Sequence, residues 1–214
     1  MGAHSCSFKT LGDAIALRSH LIWVLEKADV EEDAGRKQHL LTFIVAGGGY
    51  TGVEVAAEIN DFVREASRSY RHVEPSEAKV LLLQGASRLL PELDEGPAAF
   101  SHRVLEGKGI EVRLNARVAG ATAEGIVLTD GSAISARTLV AAIGAARNRL
   151  LDKLPGYKDQ RGRQIVDSAL AVPGYSGLWA VGDCAAVPDT GKDGTCPPTS
   201  QYAVREAKHL ARNI

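Results

Sequence analysis

Apolar residues recur at helical spacing at Ala14, Leu17, Leu21, Val24 and Ala28, which predicts an amphipathic helix over residues 11–28. Thr10, with Asp13 three residues on, fits a capping-box-like start for it. The charged stretch Glu31–His39 reads as a solvated turn. Leu41–Ala46 reads as a strand, and its run Phe43–Ala46 is continuously apolar, the pattern of a strand buried on both faces. It stops at Gly47-Gly48-Gly49, and a new helical stripe follows at Val55, Ile59, Phe62, Val63 and Ala66. That helix is expected to run to about Ala66, with polar Arg64–Pro75 extending it before a loop.

The alternation then repeats. Lys79–Gln84 predicts a second apolar strand and Pro91–Gly107 a helix, with Pro97 near its start and Gly107 and Gly109 at its stop. Ile110–Leu114 reads as a third strand. Three short β segments follow, Arg117–Ala121, Gly125–Leu128 and Ala133–Ala136, broken by Gly125 and by the hairpin signal Asp130-Gly131. Leu139–Ile143 is again fully apolar and ends at Gly144. Beyond it, Leu150–Arg163 reads as loop, and Gln164–Val166 and Leu178–Val181 as short strands, the second ending at Gly182-Asp183. Thr199–Ile214 closes the chain as a helix, and Met1–Lys9 shows no strong period. Strands alternating with helices, then a meander and a returning strand, predict an α/β fold: a Rossmann-like doubly wound parallel sheet with a β-meander insertion.

Gly47, Gly49 and Gly52 fit G-x-G-x-x-G at a strand-to-helix turn, the setting in which the motif has a mechanism. The first glycine allows the tight turn, the second lets backbone approach a pyrophosphate, and the third lets helix and strand pack closely. The helix start adds unpaired N–H groups and a positive dipole end. A structural turn alone is the competing reading.

Composition narrows the rest. A formal net charge of -1 over 214 residues argues against a nucleic-acid-binding surface or a polybasic membrane face. Cys6, Cys184 and Cys196 are far apart with no C-x-x-C, so a thiol pair of that spacing and a cysteine-rich zinc site are excluded. His4, His20, His39, His72, His102 and His209 share no ligand spacing, so no metal is assigned. No run of about eighteen apolar residues and no signal-peptide pattern is visible, so a cytoplasmic setting is expected.

Several stretches in order resemble the pyridine-nucleotide:disulfide oxidoreductase superfamily, and within it the type II NADH dehydrogenases. They are Phe8–Ala14 with Leu17-Arg18, Gly47–Glu54, the long connection with Tyr70, Leu89-Leu90-Pro91, Val140–Gly144 followed by Asn148, Leu178–Asp183, and Cys196–Gln201. The resemblance implies residues 1–12 as a crossover from a flavin domain, 13–145 as the NADH-binding domain, and 146–214 as an incomplete second segment of the FAD-binding domain. Members of that group open with a G-x-G-x-x-G for FAD and end in membrane-binding helices; neither is found here, so the chain is expected to be a fragment.

For site residues the resemblance implies a fingerprint of Gly47, Gly48, Gly49, Tyr50, Thr51 and Gly52 binding NAD(H), with Glu54 contacting the nicotinamide end; a carboxylate also suits a helix start on dipole grounds. Gln84 and Gly85 end the second strand where an NADH-selective domain carries an acid. A neutral Gln84, with Arg88 four residues on, implies weakened discrimination against NADP(H), unless Arg88 is a solvated surface cation. Ile143 and Gly144 would approach the cofactor, Gly182 and Asp183 would hold the FAD ribitol, and Thr199, Ser200 and Gln201 would face the flavin ring. No protein acid or base is implied for hydride transfer. The implied activity is hydride transfer from NADH to FAD and on to a quinone, in a parent peripheral on the inner membrane face. This fragment is expected to bind NADH only and to self-associate through strands left uncovered near Val166 and Ala180. A soluble NAD(P)H reductase of a disulfide or another acceptor, and a nucleotide-binding redox sensor, are the alternatives.

Overall fold

The computed structural model describes residues 5–142, 150–191 and 193–214. The chain divides into two compact units, Met1–Gly144 and Ala145–Ile214.

In the first unit, β1 (Cys6–Ser7) leads to α1 (Leu11–Asp29), α2 (Ala34–Leu40), β2 (Thr42–Ala46) and α3 (Tyr50–Ser67). There follow β3 (Lys79–Leu83), α4 (Glu95–Gly107) and β4 (Glu111–Arg113). The unit closes with β5 (Val118–Thr122), β6 (Gly125–Leu128), β7 (Ala133–Ser135) and β8 (Thr138–Ala141). The main sheet is parallel, in the order β1-β8-β2-β3-β4. β5, β6 and β7 form a separate antiparallel meander.

Alternation along the strands explains the layers. Phe43 and Val45 of β2, with Val80 and Leu82 of β3, point to the face covered by Leu17, Leu21 and Val24 of α1, Val55 and Ile59 of α3 and Leu105 of α4. Ile44, Ala46, Leu81 and Leu83 point the other way and pack on Ile126, Leu128 and Ala136 of the meander. Because β2 is buried on both faces along its whole length, its residues Phe43–Ala46 read as an unbroken apolar run. The meander therefore covers the face that helices take in other parallel sheets.

From β2 the chain steps outward to β3 and β4, then returns through β8 on the other side of β2. That reversal makes the carboxyl ends of β2 and β8 a topological switch point, the place where open α/β sheets bind ligands.

Thr10 and Asp13 do form the capping box of α1. Elsewhere the local structure differs from the expectations. Glu31–His39 is not all turn: the Asp33 side chain accepts the Arg36 N–H at 2.8 Å and starts α2. Cys6–Ser7 is a strand, paired parallel with β8 and too short to show a period. Arg64–Pro75 does not extend the helix, because α3 ends at Ser67, and α4 begins at Glu95 rather than Pro91. Leu178–Val181 forms no full strand but a single antiparallel bridge of Trp179 with Ala171, through Val172 N–H to Leu178 O at 2.9 Å and Ala180 N–H to Leu170 O at 3.2 Å.

The second unit carries α5 (Leu150–Lys153), a helical turn inside what the sequence suggested was loop, then β9 (Gln164–Ile165), β10 (Ala185–Ala186) and α6 (Ser200–Asn213). β9 and β10 pair in parallel. Val166, expected to lie uncovered, is 2% exposed, because Leu170, Val172, Ala185 and Val187 enclose it.

Candidate functional site: a glycine turn beside the end of the second central strand

The glycines between β2 and α3 meet three different physical demands. Gly47 holds φ at +115°, a region that favours glycine, and its N–H reaches Leu83 O at 2.8 Å. Gly52 packs so closely that a Cβ there would overlap the carbonyl oxygen of Gly47 and stand 3.4 Å from the Cβ of Ala142, just past β8. Gly48 is buried, and a Cβ on it would lie 2.6 Å from Leu89 and 2.9 Å from Gln84. Gly49 is different. A Cβ there would have no atom within 4 Å, so this glycine faces open space.

Gly49 is also the N-cap of α3 and supplies no side chain to its first N–H groups. The first hydrogen bond of the helix, Val53 N–H to Gly49 O at 3.0 Å, leaves the N–H groups of Tyr50, Thr51 and Gly52 outside the helical ladder. An uncapped start is shared by α4 and α6, so it is the glycine geometry that sets α3 apart. Together they fit a diphosphate: open surface at Gly49, donors behind it, and a helix dipole end. Tyr50, Thr51 and Glu54 lie exposed along the first turns of α3.

Gln84, half-buried at the end of β3, ties the glycine turn to the next loop. Its Oε1 accepts the Gly48 N–H at 3.3 Å, and its Nε2 donates to Arg88 O at 3.2 Å. Both ends of the amide are thus engaged within the protein, so a ribose hydroxyl would have to share one of these bonds. The Arg88 guanidinium donates to Pro91 O at 2.7 Å. Gly85 is exposed beside Arg117, a residue the sequence reading passed over. Ile143, Gly144 and Asn148 lie outside the described residues.

In the second unit Gly182 has φ at +72° and opens a tight turn, Gly182–Cys184, with Asp183 exposed. The Gly182 N–H donates to Glu206 Oε2 at 2.7 Å. Glu206 is a carboxylate only 9% exposed on α6, and it was not picked out from the sequence. Its signal is weak, since a glutamate on a helix as rich in charged and polar residues as α6 reads as solvated surface. Thr199 is the N-cap of α6 but its side chain makes no cap bond, and Ser200 and Gln201 are exposed on the first turn. The turn and the helix start that were assigned to flavin contact are therefore joined through one carboxylate on the same helix.

The thiols carry no sign of activation. Burial pushes the Cys6 thiol up, and burial followed by Asp189 and Glu206 does the same to Cys196. The Cys184 thiol donates to Val181 O at 3.2 Å. Among the described residues no group of three or more His, Cys, Asp or Glu could hold a metal ion. No helix among them is long and apolar enough to cross a membrane. An open polar recess lined by Glu31, Arg36, His39, Glu124 and Arg137 sits near the amino ends of β2 and β8 and shares no residue with the glycine turn.

A parallel sheet of this order with a glycine turn at the end of its central strand defines a class, and comparison with known proteins defines the family. Residues 2–207 match the pyridine nucleotide-disulphide oxidoreductase family, and the chain belongs to it. A probable NADH dehydrogenase of Dictyostelium discoideum is 32% identical over 96% of this chain and 45% of its own length. A type II NADH:quinone oxidoreductase of Mycobacterium tuberculosis is 34% identical, again over 96% of this chain and 45% of its own length. The chain thus spans just under half the length of these relatives. Among solved structures, NDH2 from Plasmodium falciparum in complex with NADH superimposes with a TM-score of 0.76 at 24% identity, over 86% of this chain and 40% of that one. At that identity the superposition speaks for the fold.

Proposed function

We propose that this chain is the NADH-binding part, with an adjoining flavin-domain segment, of a type II NADH:quinone oxidoreductase. The observation that carries the reading is the β2–α3 turn, where Gly52 is packed against Gly47, Gly48 is walled in by Gln84 and Leu89, and Gly49 is left open. The activities for which the relatives are named support the choice of NADH as reductant and a quinone as acceptor.

In this reading the backbone of Gly49–Gly52 binds the pyrophosphate, and Glu54 on the exposed side of α3 orients the nicotinamide end. The residues of the Gly182–Asp183 turn and of Thr199–Gln201 would hold FAD, which when bound supplies the hydride-accepting and electron-passing chemistry. The protein groups bind, orient and exclude water; none is required to move a proton during hydride transfer. The whole enzyme would meet its quinone while peripheral on the inner face of the membrane.

The test has two arms. Titrating this chain with NADH, followed by nicotinamide fluorescence, should show saturable binding, and a flat titration sinks the dinucleotide reading. In a protein containing this chain and loaded with FAD, NADH should reduce a soluble quinone analogue faster than a disulfide. The reverse order would favour a disulfide reductase.

A further inference from the structure

The end of β3 is crossed by the segment that leaves β4. Gln84 N–H donates to Arg113 O, Asn115 N–H to Ala86 O and Ala116 N–H to Gln84 O, each at 2.9 Å. Asn115 takes a positive φ of 55° to make that crossing. The next residue is Arg117, whose own carbonyl is held by the Thr129 N–H at 2.9 Å. Its backbone is therefore fixed from both sides, and its side chain lies across Gly85. A Cβ built on Gly85 would stand 3.5 Å from Arg117 Nε, 3.6 Å from its Cβ and 3.8 Å from its Cγ.

This arrangement puts a guanidinium at a chemically specific place. Gly48, in the glycine turn, touches Gln84, so the carboxyl end of β3 adjoins the diphosphate site. In a dinucleotide fold that strand end receives the adenosine ribose, where an acid selects the 2′-hydroxyl and an arginine accommodates a 2′-phosphate. Here the loop reads Gln84-Gly85-Ala86-Ser87-Arg88 and contains no carboxylate. Gln84 is neutral and tied to Gly48 and Arg88. Arg117 is exposed and forms no ion pair among the described residues.

We infer that Arg117, with its stem seated on Gly85, determines cofactor specificity by offering its guanidinium to a 2′-phosphate, so that the site takes NADPH as well as NADH. The inference rests on the dinucleotide reading above. Arg88, in the same loop, is another cation, but its guanidinium is partly committed to Pro91 O. Arg117 is the freer of the two. A planar fork of donors suits a phosphate monoester, and the glycine under the stem limits the positions the head can take.

The experiment compares dissociation constants of NADH and NADPH, and of adenosine 2′,5′-bisphosphate against adenosine 5′-monophosphate, for the chain and for Arg117→Ala and Arg117→Lys. The unaltered chain should bind the two dinucleotides within about tenfold of each other. Loss of one charge-assisted contact in Arg117→Ala should weaken NADPH and the bisphosphate by about tenfold or more, with NADH changed by less than about twofold. Arg117→Lys should recover part of the loss, and added salt should weaken NADPH more than NADH. Unchanged NADH binding also shows that the variant is folded. A preference for NADH above about a hundredfold, or no effect of Arg117→Ala, overturns the inference. So does an equal loss for both cofactors, which is the signature of an arginine stacked on the adenine. Absence of binding for every nucleotide instead removes the dinucleotide reading itself, and this inference with it.

Discussion

The side-chain oxygen of Gln84 accepts the backbone N–H of Gly48 at 3.3 Å, while its nitrogen donates to Arg88 O. One amide thus joins the glycine turn to the loop that follows β3. Gln84→Leu removes both bonds and leaves the N–H of the buried Gly48 unmet, so it should cost about 1–3 kcal/mol in chemical denaturation. Gln84→Glu keeps an acceptor for Gly48 and adds a negative charge at the strand end. It should lower NADPH affinity more than NADH affinity, as read by fluorescence titration of both.

Gly52 and Gly49 separate folding from binding. Gly52→Ala drives a methyl into Gly47 O, and overpacking of this kind costs typically about 1–3 kcal/mol. The thermal midpoint should fall and NADH binding should fall with it. Gly49→Ala meets no protein atom within 4 Å and sits at an ordinary φ of -80°, so the midpoint should stay within a degree or two of the unaltered chain. NADH binding should nonetheless be lost, because the methyl occupies the space a phosphate needs. Retained affinity in Gly49→Ala would place the nucleotide elsewhere.

Glu206 holds the turn of the second unit from within α6. Glu206→Ala should leave the Gly182 N–H without its acceptor and loosen the Gly182–Cys184 turn, at a cost of about 1–3 kcal/mol. Faster hydrogen exchange at the Gly182 amide, with the amides of α3 unchanged, is the expected pattern. Glu206→Gln retains an acceptor oxygen and should restore most of the protection.

His20 makes stability pH-dependent near neutrality. Burial, and then the charge of Arg137, hold its pKa below the ordinary histidine value, and its Nε2 lies 3.0 Å from Thr138 Oγ1. The unfolded chain therefore binds a proton more readily than the folded one. Stability should be full above about pH 6.5 and fall as pH drops from there toward the lowered folded value. Urea titrations of the chain and of His20→Gln should converge as pH falls through that window. A gap that widens on acidification would mean that His20 is protonated in the fold.

Much of the first unit is legible in the sequence, because its cues are local. Phe43–Ala46 is apolar throughout because both sheet faces are covered, and Gly47, Gly49 and Gly52 sit at spacings that a strand-to-helix turn of this kind requires. Thr10 and Asp13 cap their helix across three residues, so the cap is readable without any tertiary knowledge. The two-residue strand Cys6–Ser7 is not readable, since its only support is a distant partner, Val140-Ala141. Leu178–Val181 is only half legible: its β character is real, but it is spent on a single antiparallel bridge between Trp179 and Ala171, too short to make a strand.

The sequence alone determined the nucleotide turn, the strand–helix alternation and the family resemblance, all of which rest on neighbours within a few residues. Only tertiary structure decided that the meander, rather than helices, covers the second face, since Ile126 and Leu128 must meet Ile44 and Leu81 across space. Only it decided that Gln84 is committed to Gly48, and that Arg117, thirty-two residues beyond Gly85 in the chain, lies against it (117 less 85). Side chains brought together by strand crossing leave no periodic mark on the chain.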